Sequence, residues 1–482
     1  MSRCSRRDFL KRSAAGGLAA AGLTIAGTKA SARVLGANDT VRLAVVGING
    51  RGSEHIKEIA KIAKKKNVEI AYLVDADSRL FPMKTELVKQ QCGNTPKCVQ
   101  DLREVLQDKD LDAITIATTN HSHTMLAIWA CQAGKDVYVE KPCSHTIWEG
   151  HKLVEAARKY DRIVQHGTQS RSNPGFASET AAVRSGKYGK LLIAYGFAGK
   201  PRKSIGFKEP QAPPEGLDFN MWLGPAPEQP YHGNLVHYNW HWFWDFGNGE
   251  IGNQGPHQWD IARWAMPKGA TPQSVISLGG RFVWNDQGQT ANTQLTVIDF
   301  GGPQIIFEDR DLVKGPESSH NEFLTEGGVI KHGKFFPKGK TEGEPVPSIE
   351  FNQEFPGLTQ HFANFIDCVR SHNREELNAE ILEGHKSVML PHISNISYRL
   401  GTDVPFSRQL TAFGDNKPAY DAFDSMKKHL TDDNGMNLDD ATYRLGRRLI
   451  FDIKTETFVA DAEANKMVTQ SYRAPFVVPE QV

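Results

Sequence analysis

Val41-Arg42-Leu43-Ala44-Val45-Val46, followed by Gly47-Ile48-Asn49-Gly50-Arg51-Gly52, is the stretch on which the fold turns. The apolar run is short enough for a buried parallel strand, and a helix-like pattern follows over residues 53–64. Strand, glycine turn and helix in that order supply a tight turn, backbone amides free to approach a pyrophosphate, and a helix N-terminus facing it. Asn49 stands where a G-x-G-x-x-G fingerprint has its second glycine, so the signal depends on Gly47, Gly52 and the extra Gly50, with Arg51 between them.

Working outward, a second apolar run, Val68–Val74, ends at Asp75, 23 residues after Gly52. That is about where a carboxylate belongs that accepts from the adenine-ribose hydroxyls and repels a 2′-phosphate, which favours NAD. Asp77 and Arg79 leave NADP open, because an arginine just past the strand can pair with that phosphate. A third apolar run over residues 111–117 ends in Thr118-Thr119-Asn120-His121-Ser122-His123, and a fourth over residues 135–139 ends in Glu140-Lys141-Pro142. Ligands bind at such strand ends in open α/β sheets, so Thr119, Asn120, His123, Glu140 and Lys141 are expected on the cofactor side. The repeating alternation of strand and helix predicts a doubly wound parallel sheet.

Composition narrows the setting. Ser5-Arg6-Arg7-Asp8-Phe9-Leu10-Lys11, an Ala/Gly-rich run and Ala30-Ser31-Ala32 read as a twin-arginine signal peptide over residues 1–32, which predicts recognition by the twin-arginine export machinery and a periplasmic location. The run is too short and glycine-rich to span a bilayer, and no later stretch is apolar for long enough, so no stable membrane insertion is expected. A net charge of +1 offers no basic stripe for nucleic acid, and Lys64-Lys65-Lys66 reads as a solvated helix end. Of six cysteines Cys4 leaves with the signal, and the remaining odd number without CxxC spacing indicates neither a disulfide framework nor a structural zinc site. The roughly 450 mature residues exceed what one core usually holds.

With these motifs in order, and above all with Glu140-Lys141-Pro142, the chain resembles the glucose-fructose oxidoreductase, inositol dehydrogenase and MocA family, through Gly167-Thr168-Gln169-Ser170-Arg171 to Arg399-Leu400. The resemblance implies an α/β protein with an N-terminal Rossmann domain over residues 40–162. It further implies a C-terminal α/β domain over residues 163–410, whose large open, mainly antiparallel sheet carries the substrate face and often an oligomer contact, here a homo-oligomer such as a dimer or tetramer. Residues 411–482 exceed the family core and are expected to pack on the body. The resemblance also implies Lys141 as the acid/base that takes a sugar hydroxyl proton while hydride leaves carbon, a task open to lysine when burial lowers its pKa.

The family's second catalytic pair is Asp-x-x-x-His on one helix face. Here His257 is present and Asn253 replaces the aspartate, so the residue at 253 can orient a sugar but carries no charge. Asp260 either supplies that charge or salt-bridges to Arg263. Gln169, Arg171, Tyr238, Trp240 and Trp242 complete the expected substrate contacts. The segment Tyr238-Asn239-Trp240-His241-Trp242-Phe243-Trp244-Asp245 alternates aromatic and polar residues, as a sugar-binding strand, a packed hairpin or an interface would. The spacing of His232, His237, His241 and His257 matches no metal motif, so no metal is expected. The substrate is expected to be a small carbohydrate, a sugar, cyclitol or glycoside. A glycosidase using transient C3 oxidation and elimination needs the same lysine and stands as the alternative.

Overall fold

The computed structural model describes residues 39–312 and 318–482; the twin-arginine segment lies outside the described residues. Six strands, β1 (Val41–Val46), β2 (Val68–Val74), β3 (Lys97–Val99), β4 (Ala113–Ile116), β5 (Asp136–Val139) and β6 (Val164–His166), form one sheet in the order β3-β2-β1-β4-β5-β6. Every pairing in it is parallel. This is the doubly wound sheet that the alternation predicts, with its switch point between β1 and β4.

Helix α1 (Gly50–Lys66) begins inside the glycine turn, and Ile56, Ile59 and Ile62 turn one face into a core shared with Phe362, Phe365 and Ile366. It ends at Asn67 in the left-handed region, with Lys64, Lys65 and Lys66 in its last turn, where cations complement the helix dipole. The lysine run is thus a helix end, and Lys66 Nζ pairs with Asp367 at 2.9 Å. Further along lie α2 (Asn120–Gln132), α3 (Ile147–Lys159), α4 (Pro256–Trp264), α5 (Gly357–Ser371) and α6 (Ile381–Arg399).

The second sheet is built around β7 (Leu191–Gly199), β8 (Ser274–Gly280), β9 (Thr293–Asp299), β10 (Gln304–Arg310) and β11 (Ser319–Thr325). Only β7 and β10 pair in parallel; the other pairings are antiparallel. On one face Trp259 of α4 stacks on Phe307 at 3.9 Å between ring centroids. Gly196 makes room for that ring, because a Cβ there would meet Phe307 at 2.7 Å.

The tail does more than pack on the body. Thr442–Leu445 and Leu449–Asp452 both pair with β8, so the extension widens the sheet itself. Helix Lys417–Lys428 lays Phe423 and Met426 over the sheet's second face, against Leu278, Leu295 and Ile306. Phe476, Val478 and Val482 then join the core of the first domain. Among the described residues no helix is long and apolar enough to cross a membrane.

Candidate functional site

A cavity of about 590 Å³ runs along the C-terminal ends of β1, β2, β4 and β5 and reaches the second domain. Its floor is the glycine turn. A Cβ at Gly47 would meet Ala117 at 2.7 Å, and one at Gly52 would meet the Gly47 carbonyl at 1.7 Å, so both glycines are demanded by packing. Gly50, by contrast, has open space beside it and faces the cavity, as do Asn49 and Arg51. Asn49 caps α1 without a side-chain hydrogen bond, which leaves the first-turn amides available to an anion.

At the end of β2, Asp75 accepts from the amides of Ile48 at 2.8 Å and Asp77 at 2.9 Å, and burial raises its pKa despite both bonds. Arg79 forks onto Asp77, with Nε and Nη2 at 2.7 and 2.6 Å, and is thereby engaged away from a phosphate. Trp129, Leu102, Met125, Leu126 and Phe476 line the apolar end of the cavity beyond Asp75. Glycine floor, free amides, carboxylate and apolar slot together fit a dinucleotide.

The other end carries the polar chemistry. Thr119, Asn120 and His123 line it from the start of α2; His123 Nδ1 lies 2.7 Å from the Pro142 carbonyl, and burial lowers its pKa to about 4. Glu140 is buried and takes Arg51 Nε at 2.6 Å and His55 Nε2 at 3.2 Å. Burial alone would raise its pKa, yet the Arg51 guanidinium and His55 hold it well below the usual carboxylate range. Lys141 Nζ donates to the Asn253 carbonyl at 2.6 Å. Burial lowers the lysine pKa; Glu140 opposes that and Arg51 reinforces it. His257 faces the same cavity, and burial together with the Lys141 charge lowers its pKa to about 3.

The expectation of one helix carrying both 253 and 257 needs correction. Asn253 closes a short helix, Gly249–Asn253, and His257 belongs to α4, with the chain re-forming at Gly255-Pro256 between them. Both side chains still line the cavity, with Tyr238 and Trp240. Trp242 does not: it is buried behind it in an apolar cluster with Leu235, Phe243 and Phe246, which Trp240 also joins. The alternating aromatic segment is a 3-10 turn, Asn239–Trp242, because the Trp240 indole N–H donates to the His237 carbonyl and the His241 ring binds the Tyr238 carbonyl.

Gln169, Arg171 and Asp260 also lie outside the cavity lining. Asp260 accepts from Arg171 Nε at 2.8 Å and from Ser387 Oγ, while Arg263 pairs with Glu383 instead. Asp260 thus anchors α4 to the Arg171 turn and α6 rather than charging the site. The candidate histidines disperse in the same way: His237 sits 3.0 Å from Asp77 and His241 3.0 Å from Glu250.

Sequence reading missed Glu250, Lys200, Arg202 and Phe476. Glu250 is buried, one turn before Asn253, and accepts from Arg202 Nε at 2.8 Å and Asn253 Nδ2 at 3.1 Å. His241 and Arg202 outweigh burial and depress its pKa below the carboxylate range, so it is a fixed negative charge. Its position three residues before Asn253 was a usable signal, since that spacing shares a helix face.

Residues 41–168 match the model of an oxidoreductase family with NAD-binding Rossmann fold, and residues 201–432 match the model of an oxidoreductase-family C-terminal alpha/beta domain. Scyllo-inositol 2-dehydrogenase (NAD(+)) of Bacillus subtilis is 31% identical over 344 residues, covering 69% of this chain and 86% of that protein. Inositol 2-dehydrogenase of Salmonella typhimurium is 27% identical over 189 residues, 38% of this chain; the match spans about half of that relative, 54%. The crystal structure of the WlbA dehydrogenase from Bordetella pertussis in complex with NADH and UDP-GlcNAcA superposes with a TM-score of 0.57 at 18% identity, covering 76% of this chain and 97% of that one, which is a likeness of fold.

Proposed function

We propose, because the chain belongs to the Gfo/Idh/MocA oxidoreductase family, that it oxidises a ring hydroxyl of a sugar, cyclitol or glycoside with NAD as hydride acceptor. One observation carries this reading: Lys141, lowered in pKa by burial, and the dinucleotide-shaped floor at Gly47 and Asp75 open into the same cavity.

Gly47, Gly50 and the first-turn amides of α1 would hold the pyrophosphate, Asp75 the adenine ribose, and Trp129 and Phe476 the adenine side. Bound NAD supplies the hydride acceptor. Lys141 Nζ, held by the Asn253 carbonyl, receives the hydroxyl proton. Asn253 Nδ2 and the Tyr238 hydroxyl, 3.4 Å apart, orient the sugar, and His257 donates to or accepts from a neighbouring hydroxyl. The fixed charge of Glu250 beneath them stabilises the lysine once it has gained the proton.

The twin-arginine segment supports export to the periplasm, and free dinucleotide is scarce there. That setting favours a tightly held, recycled NAD, with either redox-neutral chemistry or a second substrate as the oxidant that restores NAD. Release of the cofactor by denaturation, followed by a screen of cyclitols, free sugars and aryl glycosides, tests the reading. Absence of any dinucleotide and of tight NAD binding would overturn it. Release of an aglycone without net NADH would replace simple oxidation by oxidation, elimination and re-reduction. Fractionation of cells tests export, and light scattering tests the proposed dimer or tetramer.

A further inference from the structure

We propose that His151, His385 and Glu456 form a binding site for a divalent transition-metal ion, zinc in the first place, separate from the cofactor cavity. Their ligand atoms all lie within 4.8 Å of one another, although they come from three distant parts of the chain: α3, α6 and the turn before Thr457. Glu456 spans the two imidazoles, with one carboxylate oxygen 2.8 Å from His385 Nε2 and the other 3.3 Å from His151 Nδ1. Two imidazoles and a carboxylate are a donor set that zinc accepts, with a water completing the tetrahedron. Zinc bonds of roughly 2.0–2.2 Å place ligand atoms about 3.3 Å apart, so the two Glu456 contacts are already near that spacing. The 2.8 Å contact has to open slightly and the widest separation, within 4.8 Å, has to close, and the half-exposed His151 ring can move to allow it.

Three further observations bear on this cluster. The outward nitrogen of His151, Nε2, lies 3.3 Å from Glu155, one helical turn on. A carboxylate behind a ligating histidine fixes its tautomer and strengthens it as a donor. His385 is seated over Gly150, where a Cβ would stand 2.3 Å from its Nδ1. That nitrogen is buried without a partner, so the one polar contact of the ring is through Nε2 to Glu456. Glu456, meanwhile, is held at φ +53, in the left-handed region that L-residues rarely adopt. An ion at this point would tie the C-terminal hairpin, which carries Glu456, to α3 of the Rossmann domain.

The test is calorimetric titration of the tag-free full-length protein, stripped with chelator, with zinc chloride alone. One equivalent should bind per chain. His151→Ala and Glu456→Ala should each weaken binding at least tenfold, the scale on which even outer-shell changes act, while circular dichroism and NAD content stay those of the parent. Glu155→Gln should weaken it less. No saturable zinc binding, or equal affinity in the parent, His151→Ala and Glu456→Ala, would overturn the site.

Discussion

Lys141 Nζ donates to the backbone carbonyl of Asn253 at 2.6 Å, so the polar partner of this ammonium is a main-chain oxygen and not a carboxylate. The negative charge that the family pattern would place at 253 sits instead at Glu250, beneath the Asn253 side chain. A carbonyl holds the amine in place in either protonation state, since it needs only one N–H. A carboxylate there would favour the charged form and hold the proton more tightly.

Replacing Lys141 with Met should therefore leave folding and NAD binding nearly unchanged and reduce turnover by about 10²-fold or more, the scale of acid-base catalysis. His257→Ala should lower turnover less, with bound NAD unaltered. Steady-state kinetics alongside cofactor content separates the two. Full activity of Lys141→Met would remove its role.

Glu250→Gln bears on the same proton. Lys141 faces Glu140, Arg51, Glu250, Lys200 and His257, and of these Glu140 and Glu250 favour its protonated form. Without the Glu250 charge the lysine loses its proton more readily, so the rising limb of kcat against pH should move to lower pH. The partly buried Arg202 also loses its carboxylate partner, which destabilises the fold, so the profile is measured below the variant's unfolding range. An unmoved limb in a folded variant would mean that Glu250 does not reach the reacting amine.

How far the chain was readable tracks how local each feature is. The β1-Gly47-α1 unit and Lys141 at the end of β5 are set by residues adjacent in sequence, and Gly47, Asp75, Asn120 and Lys141 line one cavity. The aromatic segment misled because period-two alternation cannot distinguish a strand from a turn closed by local bonds, such as those of Trp240 and His241. Arg171 and Asp260 are 89 residues apart and neutralise one another. Nothing local marks that pairing, nor the path by which Phe476 reaches Trp129, 6.4 Å away between rings.

Phe476→Ala tests that last contact. The ring is 1% exposed in the core and also lines the apolar end of the cavity. Truncation should cost about 3–5 kcal/mol of stability and speed NAD loss during gel filtration. Unchanged retention in a measurably destabilised variant would confine Phe476 to packing.

Asp77→Ala should change cofactor preference. Freed from its fork on Asp77, Arg79 can meet a 2′-phosphate, a charge-assisted bond of about 1.5–3 kcal/mol, so affinity for NADP relative to NAD should rise about tenfold or more. Calorimetry with each dinucleotide on stripped protein provides the ratio. No change would place Arg79 out of reach of the ribose.

Glu149 links the tail to the first domain and predicts a pH dependence of stability. Its carboxyl accepts from the His145 amide at 2.8 Å, Gln470 Nε2 at 2.8 Å and the Tyr472 hydroxyl at 3.1 Å. Burial nevertheless pushes its pKa from 4.5 up to about 7, against those bonds. Between these values the folded chain keeps a proton that the unfolded chain has lost, so the unfolded state binds fewer protons and stability falls as pH rises. The contribution is full below about pH 4.5 and gone above about pH 7. Glu149→Gln keeps an oxygen acceptor but cannot ionise. Relative to the parent it should gain up to about 3 kcal/mol on going from pH 5 to pH 8.5. Asp136, also raised to about 7 by burial, adds a slope of the same sign to both proteins and cancels in the comparison. Urea unfolding of parent and variant at the two pH values provides the difference; equal slopes would mean that Glu149 ionises at its ordinary pH, and that the tail is docked on a carboxylate rather than on a carboxylic acid.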